Sequence, residues 1–230
     1  MREELRQLWR AAADLLRRRR LALLELFVGI FAPLAVFAAI ADDVVEHQTF
    51  AWDRALLEAF HAHATPARDA VMVWISRLGI WCIELVSVAL FAWLAARRRT
   101  AQALFVAVAM LGEWLLNMLT KQLFGRVRPA LWVSPAPEQS FSFPSGHTMG
   151  SMALATVVAV LAWRTRWRLP AVAAGAVFVL AVSASRVYLG VHYPSDVAAA
   201  WMASLAWVLG AKVLVLGRAP GRVSGGGREG

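Results

Sequence analysis

The chain has 230 residues, is 60% hydrophobic with a mean hydropathy of +0.56, and carries only 17% charged residues. A soluble domain averages about 25% charged residues, so this composition excludes an ordinary water-soluble globule and implies an integral membrane protein. The formal charge of +9 does not point to nucleic acid, because the basic residues cluster beside apolar runs and no nucleic-acid motif accompanies them.

Six apolar segments approach the ~20 residues that cross a bilayer: Leu21–Ala41, Ala70–Ala96, Ala101–Leu119, Met149–Trp163, Ala171–Val187 and Val197–Leu216. The expected fold is all-α, a six-transmembrane-helix bundle. A basic amino terminus (1–20) leads into a first span expected to be retained, since no small-residue cleavage site follows it. A single six-span membrane domain is expected over 21–216. Between the first two spans, Phe50, Ala51, Leu56, Leu57 and Phe60 recur at helical spacing within Thr49–His63, which predicts a short amphipathic helix at the interface. His61 and His63 belong to that helix and are read as exposed, not as a metal pair. The fourth span is short, and its helix is expected to begin earlier, near Ser145. The tail, 217–230, is Gly-rich and expected to be disordered. The lone cysteine, Cys82, permits no intramolecular disulfide.

Loop charge sets an orientation. Arg17–Arg20, Arg97–Arg99, Arg164, Arg166 and Arg168, and the tail arginines Arg218, Arg222 and Arg228 all fall on one side of a six-span chain. The positive-inside rule makes that side cytoplasmic, with both termini there. The first outer loop is acidic: Asp42, Asp43, Glu46, Asp53, Glu58 and Asp69.

Three strings then fall on the opposite, outer side: KQLFGRVRP (Lys121 to Pro129), PSGH (Pro144 to His147) and SRVYLGVHYPSD (Ser185 to Asp196). Basic residues there oppose the topological trend, and a bound anion supplies a reason for them. Lys121 offers a point charge, and Arg128 a planar fork suited to phosphate oxygens. Arg126 matches no motif position and is read as an interfacial anchor. Pro144 and Ser145 precede a helix whose free N–H groups suit an anion. Ser145 adds a hydroxyl, Gly146 permits close backbone approach, and His147 can act as a general acid. Arg186 ends the fifth span. His192 opens the sixth, and Asp196 stands four residues later on the same helix face. A carboxylate on one imidazole nitrogen fixes the tautomer and leaves the other free to attack phosphorus. Glu113, Asn117 and Lys121 step by four along the third span, which makes Glu113 and Asn117 candidate supports for Lys121.

Together the strings resemble the type 2 phosphatidic acid phosphatase superfamily, whose signature is Lys, six residues, Arg-Pro; then Pro-Ser-Gly-His; then Ser-Arg, five residues, His, three residues, Asp. Lys121, Arg128 and Pro129, then Pro144 to His147, then Ser185, Arg186, His192 and Asp196 match without a gap. The resemblance implies that His192 is a nucleophile forming a phosphohistidine, that Asp196 orients it, and that His147 protonates the leaving group. It makes Lys121, Arg128, Ser145, Gly146 and Arg186 a phosphate cradle. It implies no metal and no other cofactor, with basic side chains in the role Mg²⁺ plays elsewhere.

The expected activity is metal-independent hydrolysis of a lipid phosphate at the outer face of a cytoplasmic membrane. Phosphatidate, phosphatidylglycerol phosphate and polyprenyl diphosphate, including undecaprenyl diphosphate, all fit. A phosphotransferase with an alcohol acceptor would use the same residues, and a non-enzymatic transporter is a second alternative. The implied partners are a membrane lipid phosphate and the bilayer, not nucleic acid. The related vanadium haloperoxidases and bacterial acid phosphatases share the signature, but the haloperoxidases are soluble, and six spans disfavour that branch.

Overall fold

The computed structural model describes residues 26–46 and 50–217, together with the isolated residues 3, 6, 20, 23 and 24. The expectations for the arginines at 17–19 and for the tail beyond residue 217 lie outside the described residues. Within them the chain is a bundle of six apolar helices and one short amphipathic helix. They are α1 (Phe27–Val45, opening in one π turn), α2 (Ala51–His61), α3 (Pro66–Ala96), α4 (Thr100–Phe124), α5 (Gly146–Ala162), α6 (Arg168–Tyr188) and α7 (Pro194–Leu216). Five of the six are long and apolar enough to cross a membrane. The sixth, α5, is apolar but has 17 residues, about 25 Å at 1.5 Å per residue.

Helix ends outrun the apolar runs for identifiable reasons. In α3, Thr65 caps the helix by accepting from the Arg68 N–H at 3.3 Å, and Pro66 takes the first helical position. Hydropathy registers neither, so the helix starts four residues before the predicted Ala70. At the end of α4, Gly125 adopts a left-handed conformation (φ 56°), and its N–H returns to the Lys121 carbonyl at 3.0 Å. Glycine reaches that geometry at no steric cost. It stops α4 one turn after Lys121 and releases the long loop 125–145.

The packing is that of a membrane protein. Large apolar side chains such as Leu85, Val88, Leu111 and Leu123 face outward, where hydrocarbon is their natural solvent. Inside, small residues bring helices close: Ala103 and Ala109 of α4, Ala153 of α5 and Ala211 of α7 share one core with Phe105, Val106, Val157 and Val208. The last helix, α7, is the hub. Trp207 Nε1 donates to the Ala109 carbonyl of α4 (3.0 Å), Ser204 Oγ to the Met149 carbonyl of α5 (2.9 Å), and Trp201 Nε1 to Ser183 Oγ of α6 (3.1 Å). Each bond satisfies a polar group that the membrane interior would otherwise leave unpaired.

The up-and-down order gathers the end of α4, loop 125–145, the start of α5, the end of α6 and the start of α7 at one end of the bundle. The amphipathic helix α2 lies across that end, with Leu57 fully buried beside Val187 and Val197. The arginine-bearing turns at 97–99 and 163–167 lie at the other.

Candidate active site

At that end, helix termini carry the side chains and the loop closes over them. Lys121 leaves the last turn of α4, and its ammonium donates to Ser140 Oγ at 3.0 Å. Arg128, in the loop, donates through Nε to the Ser140 carbonyl (2.6 Å) and through Nη2 to Ser140 Oγ (3.0 Å) and to the Glu138 carboxylate (2.6 Å). Arg186, in the last turn of α6, is only 1% exposed. It grips Glu138 through Nη2 and Ser76 of α3 through Nη1, the latter at 2.5 Å. His147, in the first turn of α5, points Nδ1 at Glu138 Oε1 from 3.8 Å.

Glu138 therefore sits where the cations converge. Burial raises its carboxyl, but the guanidiniums of Arg186 and Arg128 more than offset that and hold it near a pKa of about 2. It is an anion among converging basic side chains. Two buried donors nearby, Ser145 Oγ and Arg186 Nε, have no hydrogen-bond partner among the described residues. Unpaired buried donors are costly, and both belong to the signature residues.

His192 is fully buried in the turn between α6 and α7. Its Nε2 lies 3.1 Å from Arg128 Nη1. A guanidinium can only donate, so Nε2 is the acceptor and the proton belongs on Nδ1, an assignment that follows from the hydrogen-bond network. The Nδ1 side faces Ser142 Oγ at 3.4 Å and Asp196 Oδ2 at 3.5 Å. Burial, then the positive fields of Arg186 and Arg128, hold the imidazole well below its ordinary value. A neutral ring keeps the lone pair that an attack on phosphorus needs. Asp196 is itself fixed at the third position of α7: Oδ2 accepts from the Tyr193 N–H at 2.8 Å and from Ser142 Oγ at 2.5 Å.

The structure thus brings Lys121, Arg128, His147, Arg186, His192 and Asp196 to one end of the bundle. Gly146 lies against Asn117 of α4, where an added Cβ would stand 2.9 Å from Asn117 Oδ1. Three expectations change. Asn117 does not hold Lys121: its amide donates to the Pro144 carbonyl and to Met149 Sδ, both at 3.2 Å, and so steadies the PSGH turn. Glu113 is buried and makes no hydrogen bond or ion pair with the described residues, while Lys121 rests on Ser140. The four-residue step shows a shared helix face but not the direction a flexible lysine takes. Arg126 is no interfacial anchor either: it reaches Asp196 at 2.5 Å and Asp53 at 3.1 Å. Glu138, Ser140 and Ser142 carried no signal beyond their nearness to PSGH, because their role depends on how the loop folds back.

Residues 101–219 match the PAP2 superfamily. The chain is 32% identical over 152 residues to phosphatidylglycerophosphatase B of Bacillus subtilis, covering 63% of this chain and 74% of that one. It is 31% identical over 139 residues to an undecaprenyl-diphosphatase of Sulfolobus acidocaldarius, covering 58% and 64%. Its fold resembles the crystal structure of a transmembrane PAP2 type phosphatidylglycerolphosphate phosphatase from Bacillus subtilis, with a TM-score of 0.72 and 26% identity over 84% of this chain and all of the other. With that fold, that match and those relatives, the chain belongs to the PAP2 superfamily and is an integral membrane phosphatase.

Proposed function

We propose that the protein hydrolyses a lipid phosphate through a phosphohistidine on His192, with the site at the extracytoplasmic face and both termini in the cytoplasm. The observation that carries this reading is the His192 ring: Nε2 turned to the cationic cradle, the Nδ1 side backed by Asp196. The substrate phosphate displaces Glu138 and takes its donors from Arg128 and Arg186, adding those of Lys121, Ser145 and the first N–H groups of α5. Arg128 shifts from Nε2 to a phosphate oxygen, which frees the lone pair. Nε2 then bonds to phosphorus as the bond to the leaving oxygen breaks, and His147 gives that oxygen its proton. In the second step His147 takes a proton from water. The water oxygen bonds to phosphorus, the N–P bond breaks, and phosphate leaves with Nε2 restored. The cradle cations stabilise the charge that builds on the equatorial oxygens.

The lipid part is suggested by the surroundings. A cavity of about 280 Å³, lined by Leu34, Phe37, Leu116, Met149, Ala206 and Trp207 among others, opens beside Pro144. It is apolar and suits a hydrocarbon chain whose phosphate reaches the site. The named substrates of the relatives, phosphatidylglycerol phosphate and undecaprenyl diphosphate, both have this form, and phosphatidate shares it.

The test is phosphate release from phosphatidate, phosphatidylglycerol phosphate and a polyprenyl diphosphate in mixed micelles, with His192→Ala alongside. At least one lipid should be turned over. His192→Ala should lower release by several orders of magnitude, as loss of a nucleophile does. Near-normal release by a folded His192→Ala protein would end the phosphohistidine reading.

A further inference from the structure

Behind His192 and Asp196 the hydrogen bonds continue to a residue that no signature contains. Arg126 Nη1 donates to Asp196 Oδ1 at 2.5 Å and to Ser195 Oγ at 2.8 Å, while Nη2 donates to Asp53 Oδ2 at 3.1 Å. Asp53 belongs to the amphipathic helix α2, yet it is only 2% exposed. Its Oδ1 accepts from the Ser195 N–H in the first turn of α7 at 2.7 Å, and its Oδ2 accepts from Ser195 Oγ at 2.5 Å. The guanidinium carbon of Arg126 also lies 4.1 Å from the Tyr193 ring centroid. One planar fork is thus clamped by two buried carboxylates, a hydroxyl and an aromatic face.

We propose that Asp53 and Arg126 are positioning residues for the nucleophile, and that α2 is therefore part of the catalytic apparatus and not only an interfacial cover. The proposal rests on the phosphohistidine reading. Asp53, Arg126 and Asp196 together carry one net negative charge behind the Nδ1 side of His192. When Nε2 bonds to phosphorus the ring becomes cationic, and that negative charge offsets it. Without Asp53, Arg126 would neutralise Asp196 and the ring would face no net charge. Geometry acts in the same direction, since Arg126 needs both ends of its fork held to fix Asp196 Oδ1 while Oδ2 faces the imidazole.

Asp53→Asn is the main test, because an amide oxygen can still accept from the Ser195 N–H while the charge is lost. With the best lipid of the panel above, kcat should fall about 10- to 100-fold, the usual scale for lost support of a reacting group. KM should stay within about twofold, because the cradle cations do not contact Asp53. Arg126→Lys should lower kcat at least as far, since lysine lacks the planar fork whose two nitrogens reach Asp196 and Asp53 separately. If Arg126→Lys fails to fold, Asp53→Asn still decides. A folded Asp53→Asn protein with wild-type kcat overturns the proposal. So does a loss in which kcat falls and KM rises together with a lowered melting temperature, because a brace alone would do that. His192→Ala in the same assay separates the two readings. If it is inactive while Asp53→Asn is normal, only the positioning role fails; if it is active, the phosphohistidine itself fails.

Discussion

Glu138 offers the sharpest quantitative test of the cradle. Its carboxylate holds Arg128 at 2.6 Å and also pairs with Arg186, so an incoming phosphate must take donors that are already engaged. Bonds between ionised partners stabilise by about 1.5–3 kcal/mol each. Glu138 keeps 27% exposure of its side chain, so water recovers part of that when it leaves. We therefore count one bond, not two. Glu138→Gln should tighten vanadate inhibition by about 1.5–3 kcal/mol, or about 10- to 100-fold. Because the Glu138 carboxyl is held near about 2, mild acidification should not produce the same gain in the parent protein. The variant should melt lower without an anion, since Arg186 is left more weakly paired, and vanadate should restore more of its stability than it does for the parent. Inhibition constants and melting curves in detergent, with and without vanadate, measure both. A folded variant that binds vanadate no better than the parent would refute the reading of Glu138 as an occupant of the phosphate position.

His147→Ala should cost far less with an aryl phosphate than with a lipid phosphate, because a good leaving group needs little proton help; equal losses in the two assays would remove its role as acid. Activity should persist in EDTA, since Lys121, Arg128 and Arg186 supply the positive charge, and loss in EDTA with recovery on Mg²⁺ would contradict this. Glu113→Gln should leave kcat within about twofold of the parent and its melting temperature unchanged or raised, since the carboxyl has no partner among the described residues to lose; a large fall in kcat would restore Glu113 as a support of Lys121. Glycerol phosphate should be a much poorer substrate by kcat/KM than a long-chain lipid phosphate, because chain contacts position the headgroup.

Hydropathy alone determined that this is a membrane bundle, and it located six apolar helices to within a few residues, because burying backbone polar groups in lipid leaves helices as the simplest solution. The three strings were equally legible, since phosphate chemistry needs particular side chains and motif spacing survives without any knowledge of packing. The orientation of α2 was not legible. Asp53 read as one acid among several in a polar loop, and only tertiary packing places it under Ser195 and Arg126. Arg126 read as an anchor for the same reason: its partners come from α2 and α7, at positions 53 and 196, far from it along the chain. Glu138, Ser140 and Ser142 lie in a loop with no periodicity to read, and their roles follow from how loop 125–145 folds back over the helix ends. Sequence spacing predicts neighbours on one helix. Contacts between a loop and the ends of several helices depend on how the whole bundle closes, and here that closure sets Arg128 and Asp196 on the two sides of His192.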